Sequence, residues 1–133
     1  MAIPAFIKSK ERANESSAAQ ALRTISTAEI VYSTTYNIGY STSMAHLSGN
    51  QLTADVNNAG LIDTVLASGV KGGYTYNYTV MSSDSQGNVT SYAANADPIV
   101  QNVSGQLHFY TDQTGVIRAN STVAAGPNDT PLL

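Results

Sequence analysis

The stretch that decides the fold is Ala18-Ala-Gln-Ala-Leu-Arg-Thr-Ile-Ser-Thr-Ala-Glu-Ile-Val-Tyr32, which lies in the first quarter of the 133-residue chain. Its apolar residues follow a three- and four-residue spacing, and smaller or branched residues widen the stripe (Ala18, Leu22, Ile25 and Tyr32, widened by Ala21, Ala28 and Val31). The opposite side carries Arg23, Thr24, Ser26 and Thr27. The pattern predicts an amphipathic helix with one face that a second structural layer must cover.

The helix is predicted to run from about Pro4 to about Thr35. A proline is tolerated near a helix start because its missing N–H has no intrahelical acceptor there. At the other end, the β-branched Thr34 and Thr35 are followed by Asn37 and Gly39, which favour a turn.

A change of period at Gly73 predicts the covering layer. Tyr74, Tyr76, Tyr78 and Val80 alternate with Thr75, Asn77, Thr79 and Met81, which is typical of a strand with one aromatic face. Turn residues 84–88 and a second strand, Val89 to Ala94, follow, and Asp97-Pro98 is predicted to break the sheet. A third strand is predicted over Leu107–Thr111, a hairpin turn over Asp112–Gly115 and a fourth strand over Val116–Arg118.

The remaining segments are predicted to be less regular. In the connecting region, residues 37–72, we expect one helical turn at Met44–Leu47 and a short helix at Leu61–Ala67. That helix should turn Leu61, Val65 and Leu66 inward and end at Ser68-Gly69. The tail, residues 119–133, reads as coil pinned at its end. One α+β domain is therefore predicted, with a long N-terminal helix (1–36) packed on a three- to four-stranded antiparallel sheet (73–118).

Composition excludes several classes of function. Only 11% of the residues are charged, and 6 Lys and Arg against 9 Asp and Glu argue against nucleic acid as a partner. Without cysteine, the chain has no disulfide, zinc-finger or thiol chemistry, although this does not fix its compartment. Four of the basic residues precede Thr24. This basic end suits anionic lipid headgroups or an ordinary solvated helix face, and both interpretations remain open.

Catalysis finds little support in the sequence. His46 and His108 lie far apart, without an acidic residue at metal-ligand spacing near either. No nucleophile elbow, phosphate loop or His-Glu-x-x-His motif occurs. We predict that the protein is not an enzyme, with no catalytic or cofactor-binding residues and no cofactor, and that His108 is a hydrogen-bonded histidine of the sheet.

Calcium is the inorganic ligand that the sequence suggests best. Asp84, Gln86 and Asn88 place side-chain oxygens at alternate positions around Gly87, and Asp97 and Asp112 are further loop carboxylates. Calcium takes six to eight oxygens, usually with several carboxylates. Because the 84–88 loop has one carboxylate, a plain hairpin turn is favoured. Asp84, Gln86, Asn88 and Asp112 are weak candidates, and no metal is predicted.

Tyrosine is enriched, with 8 residues against 2 phenylalanines and no tryptophan. The face formed by Tyr74, Tyr76 and Tyr78 has two interpretations. It could stack on sugar rings, or it could pack half-buried against Leu22 and Ile25 with its hydroxyls reaching the edge of the sheet. The packing interpretation is favoured.

Several stretches of the chain resemble the bacterial type IV pilins. At the N terminus these are Ala2-Ile-Pro4, the basic residues Lys8, Lys10 and Arg12, Ala13-Asn-Glu-Ser-Ser-Ala18 and Leu22-Arg-Thr-Ile-Ser-Thr-Ala-Glu29. Further along they are Gly73–Thr79, Ala96-Asp-Pro98 and Gly105–Arg118. The resemblance covers nearly the whole chain, and the N-terminal part and the Asp112–Arg118 hairpin are the most specific.

The resemblance implies a pilin-like roll and a missing segment. In the family, Ala-Ile-Pro closes a long apolar helix that sits in the inner membrane before assembly, with a methylated N terminus in the native form. This chain has no run of about 18 apolar residues, so the resemblance implies a chain cut just upstream of the proline. Many pilins also close a C-terminal loop with a disulfide, and this cysteine-free chain departs from that pattern.

The function implied is that of a structural subunit of an extracellular type IV pilus, which acts by self-assembly. Its expected partners are other copies of itself, the pilus assembly machinery and, through the missing helix, the inner membrane; its expected location is a filament on the cell surface. The expected assembly residues lie on the exposed end of the helix, where opposite charges would pair between subunits: Pro4, Phe6, Ile7, Lys8, Lys10, Glu11, Arg12 and Glu15. The alternatives are the major pseudopilin of a type II secretion system and a glycan-binding module.

Overall fold

The computed structural model describes residues 3–49 and 51–132; the side chains of residues 3–7 and 51 lie outside that description. Helix α1 spans Ile3–Tyr36, and the connecting region holds 3-10 turns at Met44–Leu47 and Gln51–Thr53 and helix α2 at Thr64–Ala67. Six strands follow: β1 Val70–Lys71, β2 Tyr74–Ser83, β3 Val89–Pro98, β4 His108–Asp112, β5 Arg118–Asn120 and β6 Thr130–Pro131. The chain is therefore α+β, as predicted.

The long helix is confirmed, with 34 residues. It ends where Asn37 adopts a left-handed conformation with φ 55° and donates its N–H to the Ser33 carbonyl at 3.1 Å. Asparagine is one of the few residues with a side chain that tolerates this conformation, so the turn predicted after Thr35 forms at the expected place.

The prediction of three to four strands was wrong, because the sheet has six strands in the order β1-β2-β3-β4-β5-β6. Every neighbouring pair is antiparallel. The two edge strands, β1 and β6, have 2 residues each. Two residues are too few to show a period, so only pairing with a neighbouring strand reveals them.

The prediction that Asp97-Pro98 breaks the sheet was also wrong. Strand β3 continues to Pro98, which lies opposite Tyr74 of β2. The N–H of Ile99 donates to Gly73 on the β2 side, so the nitrogen of Pro98 faces the β4 side. Pairing between β3 and β4 covers Ala93 to Ala96. Proline is therefore tolerated here because no ladder hydrogen bond is required of it.

The fourth predicted strand is displaced along the chain, and the predicted coil contains strand structure. Strand β5 begins at Arg118 instead of Val116, after the buried Ile117. The tail then returns as β6 beside β5, and Leu132 donates its N–H to the Ile117 carbonyl at 2.6 Å. The end of the tail is thus pinned by backbone pairing and by the partly buried Leu132 side chain.

The main core lies between α1 and one face of the sheet. The predicted apolar face of α1 is buried except for Val31, which is 41% exposed, and Leu22 and Ile25 are at 0% exposure. The predicted positions of Val31 on the buried face and of Ser26, 8% exposed, on the polar face were wrong. Across from it lie Tyr74, Tyr76, Ala94, Ala96 and Phe109 in the same hydrophobic cluster. The packing interpretation of the tyrosine face is therefore confirmed. A second, smaller cluster of Ala93, Tyr110 and Ala125 lies on the other face, under the tail.

The connecting region packs against this core. The turn at Met44–Leu47 is confirmed as a 3-10 helix with both end residues buried. Helix α2 starts later than predicted because Asp63 accepts the N–H of Leu66 at 3.3 Å and caps it. Leu66 points inward as predicted, whereas Val65 is 54% exposed, so its predicted inward position was wrong. Gly69, with φ +91°, follows the last turn as the sequence indicated.

Candidate functional site

The predicted assembly residues lie on the first turns of α1. Lys8, Ser9 and Lys10 are all exposed. Successive residues of an α-helix point about 100° apart, so these three side chains point in three different directions. In each of these directions the described chain leaves this part of α1 exposed. Arg12 is exposed as well. Pro4, Phe6 and Ile7 belong to the helix, but their side chains lie outside the described residues.

Two of the predicted assembly residues are not available for pairing with another subunit in the way expected. Glu11 is 2% exposed, and its Oε2 lies 3.4 Å from Lys8 Nζ. Its other oxygen is buried without a hydrogen-bond partner among the described residues. Glu15 accepts the backbone N–H groups of Gln106 and Leu107 at 2.8 and 3.1 Å. The expectation of an exposed surface was wrong for Glu11, whereas Glu15 is partly exposed but already accepts hydrogen bonds from its own domain.

The same turn of α1 fixes the helix to the loop between β3 and β4. Asn14 Nδ2 donates to the Ser104 carbonyl at 2.8 Å, one residue before the Glu15 contacts. On the inner side of the loop, Tyr74 Oη donates to the Leu107 carbonyl at 2.7 Å. Gly105 provides room for this ring, since a β-carbon there would lie 2.2 Å from Tyr74 Oη. These polar contacts and this close packing thus fix the position on α1 from which its N-terminal turns extend away from the rest of the domain.

A cluster around Glu29 joins α1, the connecting region and β2. The side chain of Glu29 is 0% exposed. Its Oε1 accepts the N–H of Ser41 at 3.1 Å, and its Oε2 is hydrogen bonded to Tyr78 Oη. Tyr78 Oη also lies 2.7 Å from the Ser41 carbonyl oxygen. Burial raises the pKa of Glu29 despite the hydrogen bonds from Tyr78 and Ser41, which lower it.

The hydrogen-bond count in this cluster favours a protonated Glu29. The Tyr78 hydroxyl has one proton but faces two acceptors. Burial and the nearby Glu29 both raise the pKa of Tyr78. If Glu29 carries the proton, the acid donates to Tyr78 Oη and Tyr78 donates to the Ser41 carbonyl. Both acceptors are then satisfied, and no unpaired charge is buried.

Replacing Glu29 by glutamine is expected to remove a pH dependence of folding stability. Because the pKa of Glu29 is raised above 4.5, the folded state holds this proton more tightly than the unfolded state. The contribution of Glu29 to the free energy of unfolding is therefore complete below pH 4.5. It is lost as the pH rises through the pKa that Glu29 has in the folded state. Within that window the free energy of unfolding falls by about 1.4 kcal/mol per pH unit. Glutamine cannot ionise, so this fall disappears.

Urea unfolding of both proteins from pH 4 upward measures the effect. Asp55→Asn is the matched control, because Asp55 is an exposed carboxylate on the same connecting region and its loss should leave the fall in place. Parallel stability curves for the wild type and Glu29→Gln would contradict the prediction.

The structure assembles a histidine site that the sequence did not reveal. His108 Nδ1 lies 2.7 Å from Asp97 Oδ1, and Nε2 lies 2.7 Å from Gln101 Oε1. The amide of Gln101 in turn donates to the Gln106 and Ser121 carbonyls. His108 is therefore a hydrogen-bonded residue of the sheet, as predicted. Pairing of β3 with β4 brings its carboxylate partner close, and no local pattern could have indicated that.

The weak calcium candidates act as turn residues. Asp84 Oδ1 accepts the N–H groups of Asn88 and Gln86, each at 2.9 Å, and these bonds hold the pKa of Asp84 below its ordinary value. Asp112 Oδ1 accepts the N–H of Thr114 at 3.0 Å in a different turn. In the described part of the chain, no three His, Cys, Asp or Glu side chains are grouped so that they could hold a metal ion.

Two further surfaces bear on function. A shallow groove beside α1 is lined by Gln20, Thr24, Leu66 and the ion pair of Asp63 with Lys71, whose atoms lie 2.9 Å apart. The carboxylate of Asp63 is already engaged in this ion pair and in capping α2. The second surface is the tyrosine face of β2, formed by Tyr74, Tyr76 and Tyr78. Tyr74 and Tyr76 are 0% and 5% exposed beneath α1, so they present no platform for stacking on sugars.

No protein-family model, curated protein sequence or solved structure matches the chain. Within residues 3–49 and 51–132, no helix combines the length and apolar character needed to cross a bilayer.

Sequence reasoning missed Glu11 and Glu29 as buried groups, although a signal was present. The apolar spacing that places Leu22 and Ile25 in the core continues to position 29, so Glu29 occupies a core position of the helix stripe. The same spacing extended backwards from Ala18 reaches position 11. A carboxylate at a core position of an amphipathic helix indicates a buried polar contact.

Proposed function

We propose that the protein is a structural subunit of an extracellular filament of the type IV pilus class, and that it acts by self-assembly. The observation that carries the proposal is the uncovered N-terminal part of α1. Lys8, Ser9 and Lys10 are all exposed, whereas from Ala18 onward the apolar stripe of the same helix is buried against the sheet. One part of a single helix is thus a domain core element, and the exposed side chains at positions 8–10 are free to contact a different molecule.

The arrangement of α1 on the sheet supports this role. A helix packed along one side of an antiparallel sheet leaves the opposite side of the helix open, with Thr27, Ile30 and Val31 exposed. Neutral and branched side chains of this kind suit packing between repeated copies. Contacts between two different surfaces of identical subunits do not close on themselves and generate helical filaments.

The proposal includes the pilin-like roll and the partners that the resemblance implies. An apolar helix continuous with Ile3 would hold the subunit in the inner membrane before assembly and pack in the filament centre afterwards. The pilus assembly machinery would move the subunit between these two states. The sheet and the connecting region would then form the outer surface on the cell, with no bond-making step.

The test is to express the full gene product in its native host and label cells with an antibody raised against the 133-residue chain. Labelled thin surface fibres are the expected result. Absence of labelled fibres, with the product dispersed in the cell, would overturn the proposal. Loss of protein secretion without loss of fibres on gene deletion would favour the pseudopilin role instead.

A further inference from the structure

Exposed cations and exposed carboxylates without an ion-pair partner lie toward opposite ends of α1. The first turns of α1 also hold Glu11, which pairs with Lys8, and Glu15, which accepts backbone N–H groups. We call the end of the domain at which Asn14 and Glu15 contact the loop between β3 and β4 the near end, and the opposite end of the domain the far end. The exposed cations Lys8, Lys10 and Arg12 all lie at the near end. In contrast, residues 26–58 and 76–96 contain no lysine or arginine.

Two exposed carboxylates mark the far end. Tyr74, the first residue of β2, lies at the near end beside Gly105 and Leu107. Strand β2 has 10 residues, so Asp84, which follows its last residue, lies about 30 Å away. Asp55 is also at the far end. Its neighbour in the chain, Val56, accepts a hydrogen bond through its carbonyl, at 2.6 Å, from Tyr32 near the C-terminal end of α1.

These charges are not neutralised within the described chain. Asp84 and Asp55 each use one carboxylate oxygen to accept backbone N–H groups of their own loops. No ion pair joins either of them, or Lys10 or Arg12, to another described residue. The partial negative charge at the C-terminal end of α1 adds to the acidic far end.

Exposed apolar side chains accompany the charges at both ends. The near-end loop presents Ile99, Val100 and Val103, which are 53%, 51% and 52% exposed. At the far end Met81, close to the β2–β3 turn, is 60% exposed and Ile38, just after α1, is 40% exposed. Burying apolar surface at both ends would reinforce a contact that the charges orient.

We propose that the basic near end of one copy, through Lys10 and Arg12, binds the far end of a second copy, through Asp55 and Asp84, in a head-to-tail contact. This inference rests on the proposed filament function and names the surfaces that meet. Like ends repel and unlike ends attract, so the contact also sets the polarity of the assembly. The far end of the first copy and the near end of the second remain free, so the contact repeats.

Charge reversal and charge swap test the contact. The full chain is studied by sedimentation velocity at up to about 1 mM, in low salt and in 0.5 M salt. We expect salt-sensitive self-association that the double change Lys10→Asp with Arg12→Asp weakens roughly tenfold. Arg23→Asp, an exposed change on the same helix away from the near end, is the control and should have little effect. Circular dichroism checks that each variant is folded.

Mixing supplies the decisive result. The Lys10→Asp/Arg12→Asp protein should regain affinity for a second variant that carries Asp55→Lys and Asp84→Lys. Because the chain has no cysteine, single cysteines at Arg12 and Asp84 in separate copies should also form a disulfide between the two copies. No self-association and no cross-link at 1 mM in low salt would overturn the contact, as would equal affinities for all variants.

Two further outcomes separate this inference from others. If native fibres form and are unchanged by the Lys10 and Arg12 substitutions, the head-to-tail contact is wrong while the filament function stands. If the wild type forms no fibres, the solution experiment still decides the contact. If the same substitutions abolish binding to phosphatidylserine vesicles but leave self-association intact, the basic end binds anionic lipid and the head-to-tail contact is again overturned.

Discussion

Replacing Leu22 by alanine is expected to lower the free energy of unfolding by about 2–5 kcal/mol. Leu22 is 0% exposed in the middle of the apolar face of α1 and belongs to the cluster that includes Tyr74, Tyr76 and Phe109. The change removes buried methyl groups and leaves a cavity between the helix and the sheet. Aromatic rings held by their own hydroxyl contacts, such as Tyr74, have little freedom to fill it.

Urea and thermal unfolding measure the effect of Leu22→Ala. For a chain of this size, each kcal/mol corresponds to roughly 3–5 °C in Tm, so we expect a drop of about 6–25 °C. Val65→Ala is the matched control, because Val65 is an aliphatic residue of a helix that is 54% exposed. Its effect should stay within about 0.5 kcal/mol. Equal losses for the two variants would show that α1 does not form the core with the sheet.

Replacing Gly105 by alanine is expected to cost about 2–4 kcal/mol, because its β-carbon has no room. That carbon would lie 2.2 Å from Tyr74 Oη and 2.7 Å from two carbons of the same ring. The ring is 0% exposed, and its hydroxyl donates to the Leu107 carbonyl at 2.7 Å. Relief of the overlap requires movement of the ring or of the loop. Overpacking contributes about 1–3 kcal/mol and the lost hydrogen bond about 1 kcal/mol.

Two variants make the Gly105 prediction specific. Gly126→Ala is the control, since a β-carbon there meets nothing within 4 Å, and we expect almost no change. In a Tyr74→Phe background the closest overlap is absent, so Gly105→Ala should cost less than it does in the wild type. The two substitutions lie in contact, and their effects should not be additive. A Gly105→Ala protein as stable as the Gly126→Ala protein would contradict the assigned packing of Tyr74.

Both predictions concern the way in which α1 is held, and this matters for the proposed filament. The contacts of Asn14 and Glu15 and the packing of Tyr74 against Gly105 fix the angle at which the first turns of α1 leave the domain. A subunit whose helix is loosely held would present its basic near end in many directions. Assembly by repetition requires the same relation between every pair of copies.

Much of the fold could be predicted because the responsible signals are local. The helix follows from the spacing around Leu22 and Ile25, and β2 follows from the alternation of its tyrosines. The turns at Asp84 and Asp112 follow from aspartate side chains that accept the backbone N–H groups of Asn88 and Thr114, a few residues later. Each of these signals lies within a few residues of the structure that it predicts.

Most of the features that the sequence did not reveal depend on pairing between strands, in several cases with partners distant in the chain. The edge strands β1 and β6 exist because β2 and β5 offer them hydrogen bonds, and Pro98 remains in β3 because of the direction in which its nitrogen points. Asp97 meets His108 only when β3 pairs with β4. The residues of one strand do not by themselves indicate which other strand it will pair with.

By itself, the sequence determined that one face of a long helix must be covered and that a tyrosine-bearing strand helps to cover it. It determined this because burial of apolar surface follows the period of the helix and the strand. Only the tertiary structure decided that Glu11 and Glu29 are buried, that Glu15 binds a distant loop and that the free charges lie at opposite ends of the domain. The reason is that the environment of a polar side chain depends on which groups the fold brings within hydrogen-bonding distance.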